Sequence, residues 1–163
     1  MNASVAFPKP TLRPYLAADL PLLAEIRLAA IEELTTDDYD EAQRRAWADL
    51  ADDEAGLGET LKKGLSLIAL ISGAPVGFIV LADGGVIDQL YVHPAVARTG
   101  VASALCDAIE KLARARKLEN LVVDASDTAK PLFDKLGFTA ERRNTISVED
   151  VWLGNTRMKK KLT

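Results

Sequence analysis

Cysteine and histidine each occur once in the 163 residues, and other features that announce a function class are also missing. A lone Cys106 cannot close an intramolecular disulfide. A reducing cytoplasm is therefore the expected compartment, and a buried, inert thiol inside a helix its expected state. No apolar run reaches the length needed to cross a bilayer, and residues 1–10 carry neither a signal-peptide apolar centre nor an Arg-rich transit pattern. They read as a loose tail ahead of one soluble domain, residues 11–163, large enough for a hydrophobic core. No basic block interleaved with aromatics is present, and 20 basic against 24 acidic side chains leave a net charge of −4. That balance speaks against nucleic acid or a membrane surface as partner and permits a cationic, amine-bearing substrate. No metal is expected.

The glycine-rich phosphate signatures are missing too. There is no Gly-Lys-Ser/Thr after a spaced glycine, and two of the three Rossmann glycines are absent. Instead, Val86 to Arg116 reads as strand, short loop and long helix. The strand Val86–Val92 leaves the turn Asp83-Gly84-Gly85 and closes at His93-Pro94. In the helix, Val101, Leu105, Ile109 and Leu112 make one apolar stripe, with Arg114, Arg116 and Lys117 at its negative end. Gly100 at the helix start allows close backbone approach, the first-turn N–H groups are unpaired, and Arg98 adds a full charge. A phosphate is the natural guest, although a water-capped helix start would look the same.

Around this unit the pattern predicts a short strand at Thr11–Pro14 and a helix from Asp19, as N-cap, to Leu34, with Leu22, Leu23, Ile26 and Ala30 inward. A second helix spans Asp40 to Leu50, with Ala42, Ala46, Trp47 and Leu50 inward; Asp52 to Glu59 reads as a loop. Leu65–Ile71 and Val76–Ala82 form a hairpin about Ser72-Gly73, with Gly77 marking a bulge or a close approach. Asn120–Asp124 is a fifth strand, parallel to Val86–Val92 by the crossover rule; a short helix ends at Gly137, and a final hairpin follows. Strands ahead of a strand–helix–strand unit indicate an α+β class with a mixed sheet.

Two segments carry a resemblance. Val92-His93-Pro94 followed by Ala97-Arg98-Thr99-Gly100-Val101-Ala102 resembles the acetyl-CoA-binding motif of the GNAT superfamily of N-acetyltransferases. Gly100 and Ala102 match its small positions, while Ala97 stands where Gln or Arg is usual. Ala129-Lys130-Pro131-Leu132-Phe133-Asp134-Lys135-Leu136-Gly137-Phe138 is similar to the family's second motif, with Phe133 for the common Tyr. Asp124-Ala125-Ser126 is similar to a bacterial branch of the family.

The resemblance implies a GNAT-type mixed, mostly antiparallel sheet, helices on both faces, and splayed fourth and fifth strands that hold acetyl-CoA as co-substrate. It implies cofactor contacts at Leu90, Tyr91, Val92, Ala97, Arg98, Thr99, Gly100, Val101, Ala102, Ser126 and Phe133. The backbone N–H of Tyr91 or Val92 would polarise the thioester, and Tyr39, Trp47 and Trp152 would line the acceptor pocket. An amine of a small molecule or peptide would attack the thioester directly. Asp88, an ionisable residue in an apolar strand on the face of Val86, Leu90 and Val92, is the expected base, or else a structural carboxylate. Phe133 cannot donate a proton, so the acid would be Ser126, Tyr91, water or the substrate ammonium. His93 has a suitable titration range but fits a turn better. A non-catalytic acyl-CoA-binding module is the alternative, and the last hairpin offers an edge for a homodimer.

Overall fold

The computed structural model describes residues 8–163, so the expected tail over residues 1–10 falls mostly outside it. One sheet takes in β1 (Thr11–Pro14), β2 (Leu65–Ile71), β3 (Ala74–Ala82), β4 (Val86–Val92), β5 (Asn120–Ser126), β6 (Thr139–Val148) and β7 (Val151–Lys161). Their order is β1-β2-β3-β4-β5-β7-β6, and every neighbouring pair is antiparallel except β4 with β5. The helices are α1 (Leu20–Leu34), α2 (Glu41–Ala51), α3 (Glu54–Lys63), α4 (Val101–Ala115) and α5 (Lys130–Lys135). The fold is the expected mixed α+β class.

Two apolar clusters sandwich the sheet. Leu23 and Ile26 of α1 and Leu57 and Leu61 of α3 pack on Ile68, Phe78 and Val80. On the opposite face Val101, Leu105, Ile109 and Ala113 of α4, with Phe133 of α5, pack on Ile79, Ile87, Leu121, Val123 and Met158. Leu105 and Ile109 are fully buried, and each such side chain stabilises the fold by about 1.5–3 kcal/mol. The stripe expected on α4 ends at Ala113, while Leu112 is partly exposed.

Several expectations are corrected. Asp52 to Glu59 is not a loop: Asp53 caps α3 by accepting the Gly56 N–H at 2.9 Å, and burial of Leu57 and Leu61 outweighs the two helical glycines. Asp19 stands at the α1 N-cap position, as expected, but its side chain makes no capping bond to the helix. Its carboxylate takes two Arg13 hydrogen bonds at 2.7 Å and the Leu16 N–H at 2.9 Å, which closes a 3-10 turn over Ala17–Asp19. On α1 Leu22 is exposed and Ile31 takes its inward place. On α2 Ala42 and Leu50 are exposed, while Ala46 and Ala48 are buried. Asp40 is the true N-cap there, in a capping box with Gln43.

Candidate active site

The parallel ladder between β4 and β5 consists of Val86↔Val122 and Ile87↔Val123. Beyond it β4 follows β3 to Val92 while β5 follows β7 to Ser126, so the two strands part. A cavity of about 740 Å³ opens where they diverge, lined by both strands, the end of α1, Trp47, the segment before α4, and α5.

One end of the cavity is made by the α4 start. Among the described residues, none of the backbone N–H groups from Arg98 to Ser103 donates within the chain; the first helical bond runs from Ala104 to Gly100 at 3.0 Å. Arg98 and Gly100 hold φ of 61° and 96°, which folds the loop tightly and turns successive amides outward. A Cβ on Gly100 would meet nothing within 4 Å, so the backbone there borders open space. Gly77 seats the helix: a Cβ at that position would lie 3.0 Å from the Tyr91 carbonyl and 3.3 Å from Val101. Thr99 fastens the loop by donating to the Val96 carbonyl at 2.6 Å. Ala97, Arg98, Gly100, Ala102 and Ser103 line the cavity; Thr99 and Val101 do not, the latter being core.

A β-bulge governs the other end. Val80 pairs with Gln89 and Leu81 with Ile87, which leaves Asp88 unpaired. The extra residue breaks strand alternation, as bulges do. Ile87, Leu90 and Val92 pack toward α4, whereas Gln89 receives a hydrogen bond from Arg27 of α1 and Tyr91 packs against Phe78 in the α1 cluster. Asp88 joins that second group through Gln89, whose amide donates to its carboxylate at 3.3 Å. Two expectations are thereby corrected. Asp88 does not share a face with Leu90 and Val92, and it is exposed in the cavity rather than partly buried.

The bulge lies earlier in β4 than the thioester-polarising amides were expected to. His93 donates to the Val76 carbonyl at 2.8 Å, and the Tyr91 carbonyl likewise faces β3. Alternation from there turns the N–H groups of Leu90 and Val92 toward the cleft, and that of Tyr91 away from it.

Tyr91 also lines the cavity. Burial pushes the phenol up from its ordinary range, against the opposing pull of the Arg27 charge and the Trp47 indole. Arg27 is 8% exposed; it donates to the Ala51 carbonyl at 2.5 Å and the Asp53 carbonyl at 3.3 Å, and its Nε is unpartnered. Burial lowers its pKa, partly offset by Tyr91, Asp53 and Asp88. Sequence reasoning missed Arg27 and Gln89. The signal was available: Arg27 interrupts the buried face between Ile26 and Ala30.

Ser126 closes β5, lines the cavity, and accepts the Ala129 N–H at 3.1 Å, so its hydroxyl also shapes the turn into α5. Phe133 is on the wall but 1% exposed, edge-to-face with Phe138 at 5.1 Å. Trp47 lines the cavity, whereas Tyr39 and Trp152 do not. Trp152 is 64% exposed on the outer hairpin, meeting α2 through its carbonyl, which accepts from Gln43. Tyr39 is buried as a tie: its hydroxyl donates to Gly154 at 2.6 Å and accepts from the Asp127 N–H at 2.9 Å. Beside it, Thr128 donates to Asp38 at 2.8 Å. His93 is exposed, with Nδ1 accepting the Ala95 N–H at 3.0 Å, a turn cap away from the cavity wall.

Comparison with known proteins agrees with this geometry. A family model described as an acetyltransferase (GNAT) domain matches residues 35–162. The uncharacterized N-acetyltransferase YafP of Escherichia coli K12 is 35% identical over 150 residues, covering 92% of this chain and 95% of that protein. A crystal structure of a GCN5-related N-acetyltransferase from Rhodopseudomonas palustris, also described as "Aminotransferase, Class-II", is 48% identical with TM-score 0.91, covering 98% and 99% of the chains. The fold is shared with PaiA N-acetyltransferase of Thermoplasma acidophilum, solved with coenzyme A, at TM-score 0.77, 18% identity and coverage of 93% and 98%. With most of its length matched by the family model, this chain belongs to the GNAT family of acetyltransferases.

Proposed function

We propose that the protein transfers the acetyl group of acetyl-CoA to a primary amine by direct attack, as a member of the bacterial branch carrying Asp-Ala-Ser at the end of β5, acting in a reducing cytoplasm. The observation that carries this is the parting of β4 and β5 beyond Ile87 and Val123, with the free amides of Arg98 to Ser103 at the cavity's end.

The residues fit a long anionic thioester. Amides of the α4 start and the Arg98 guanidinium would hold its diphosphate. Leu90, Val92, Ser126 and the Phe133 ring would flank its narrow arm. The bound thioester supplies an activated acetyl group whose carbonyl needs a donor as the amine adds; the cleft-facing N–H groups of Leu90 and Val92 stand in position to give one. Asp88, steadied by Gln89 and exposed to the cavity, would take the amine's proton directly or through water. Tyr91 keeps its proton at neutral pH and would return one to the leaving thiolate, the role Phe133 cannot fill. Calorimetry with acetyl-CoA, followed by thiol release over an amine panel, tests the reading. Absence of binding at millimolar cofactor would defeat it.

A further inference from the structure

The acceptor half of the cleft restricts which amine can enter, an inference that rests on the transferase reading above. Its walls there are built by Ala30, Ile31 and Leu34 of α1, by Trp47, and by Thr35, whose hydroxyl is turned back to the Ile31 carbonyl. Two carboxylates border the cavity. Asp124 is engaged by Arg157 at 3.0 and 3.2 Å and by Asn144 at 3.1 Å. Asp88 meets the Gln89 amide and, among the described residues, has no cation within salt-bridge distance. The cations on the wall, Arg98 and Lys135, come from the loop before α4 and from α5. Arg27 shares the Asp88 face but is turned to the Ala51 and Asp53 carbonyls and is not on the wall. The turns bordering this half are also fastened to each other, Thr128 to Asp38 at 2.8 Å and Asp127 to Tyr39 at 2.9 Å.

We infer that the acceptor is a small primary amine carried on an apolar alkyl or aryl body, and neither a free amino acid nor a polypeptide N-terminus. Its ammonium meets Asp88 while its body lies against Ile31, Leu34 and Trp47. An acceptor carboxylate would meet Asp88 as a like charge, while Arg27, the cation on that face, is taken up by the Ala51 and Asp53 carbonyls and by Gln89 and does not line the cavity. A polypeptide would have to pass the fastened turns and bring polar backbone against a mainly apolar wall.

Phenethylamine, hexylamine, phenylalanine and a hexapeptide with a free N-terminus should be compared as acceptors by thiol release from acetyl-CoA. The two amines are expected to exceed the other two in kcat/KM by roughly tenfold to a hundredfold, the range set by an unpaired polar group in such a site. Equal or better turnover of phenylalanine or the hexapeptide overturns this inference and leaves acetyl transfer standing. No thiol release from any probe, with acetyl-CoA binding intact, overturns the transferase reading and this inference with it. Leu34→Arg places a cation on the wall and should shift the phenethylamine-to-phenylalanine ratio by about tenfold toward phenylalanine, at unchanged acetyl-CoA Kd. An unchanged ratio in a variant that still binds acetyl-CoA counts against the inference.

Discussion

Tyr39→Phe isolates one hydroxyl that joins three parts of the chain. Tyr39 is 5% exposed, and its ring stands edge-to-face to Trp47 at 5.4 Å and 71°. Phenylalanine keeps that packing and removes only the bonds to the Gly154 carbonyl and the Asp127 N–H, at 2.6 and 2.9 Å. Each lost bond is worth about 1 kcal/mol, and both stranded groups are only partly screened from water, so the combined loss is about 2 kcal/mol. For a chain of this size that lowers Tm by roughly 4–8 °C, and the urea midpoint should fall with an unchanged slope. Loosening the α1–α2 turn from the β5–α5 turn should also raise the acceptor KM. The acetyl-CoA Kd should hold, since Tyr39 does not touch the Arg98–Ser103 amides. A urea stability within about 0.5 kcal/mol of the parent, the usual scatter of an inert surface change, would refute the tie.

Gly100→Ala should weaken acetyl-CoA binding about tenfold in calorimetry, because the left-handed φ of 96° strains any Cβ by about 1–2 kcal/mol. Asp88→Asn should lower kcat by roughly 10²–10⁴-fold with little change in acetyl-CoA affinity, read by thiol release. The Arg13 hydrogen bonds hold the Asp19 carboxyl below its ordinary range. The stabilisation is therefore complete above the unfolded value near ~3.9 and is lost as pH falls through the lower folded value. Asp19→Asn should be less stable than the parent at neutral pH, and that difference should shrink on acidification in urea titrations. Burial and then Glu110 push the Cys106 thiol up to about 12, so Ellman's reagent at pH 8 should label it only on unfolding.

Where burial and period agreed, elements were legible to the residue or nearly so: β2 and β4 have the bounds their apolar runs implied, and α2 (Glu41–Ala51) lies within one residue of the expected Asp40 to Leu50. α3 was not legible, because Gly56 and Gly58 argue locally against a helix and only the sheet face that receives Leu57 and Leu61 makes it form. The position of Asp19 at the α1 N-cap was legible, but the use of its side chain was not. Asp19 has cap chemistry at a helix start, but Arg13 arrives from β1, a partner that no local pattern reveals. The turn at 97–100 and the start of α4 after Gly100 could be read because helix-end physics acts within a few residues.

The acceptor side could not be read in that way, and the bulge explains why. Strict alternation assigns Asp88 to the Leu90 and Val92 face, toward α4. One unpaired residue reverses the assignment and sends Asp88 toward α1, where it joins Gln89 and Tyr91. The apolar periodicity of Val86–Val92 does not mark where the extra residue falls, since that depends on how β3 and β4 match across the sheet. Yet without it the carboxylate would face the α4 core, where burial would demand a partner that the apolar residues there cannot provide. The ionisable residue in an apolar strand was thus itself a sign that alternation fails at that point. The same reasoning applies to Arg27 on α1, the polar interruption that meets Gln89 on that face of the sheet.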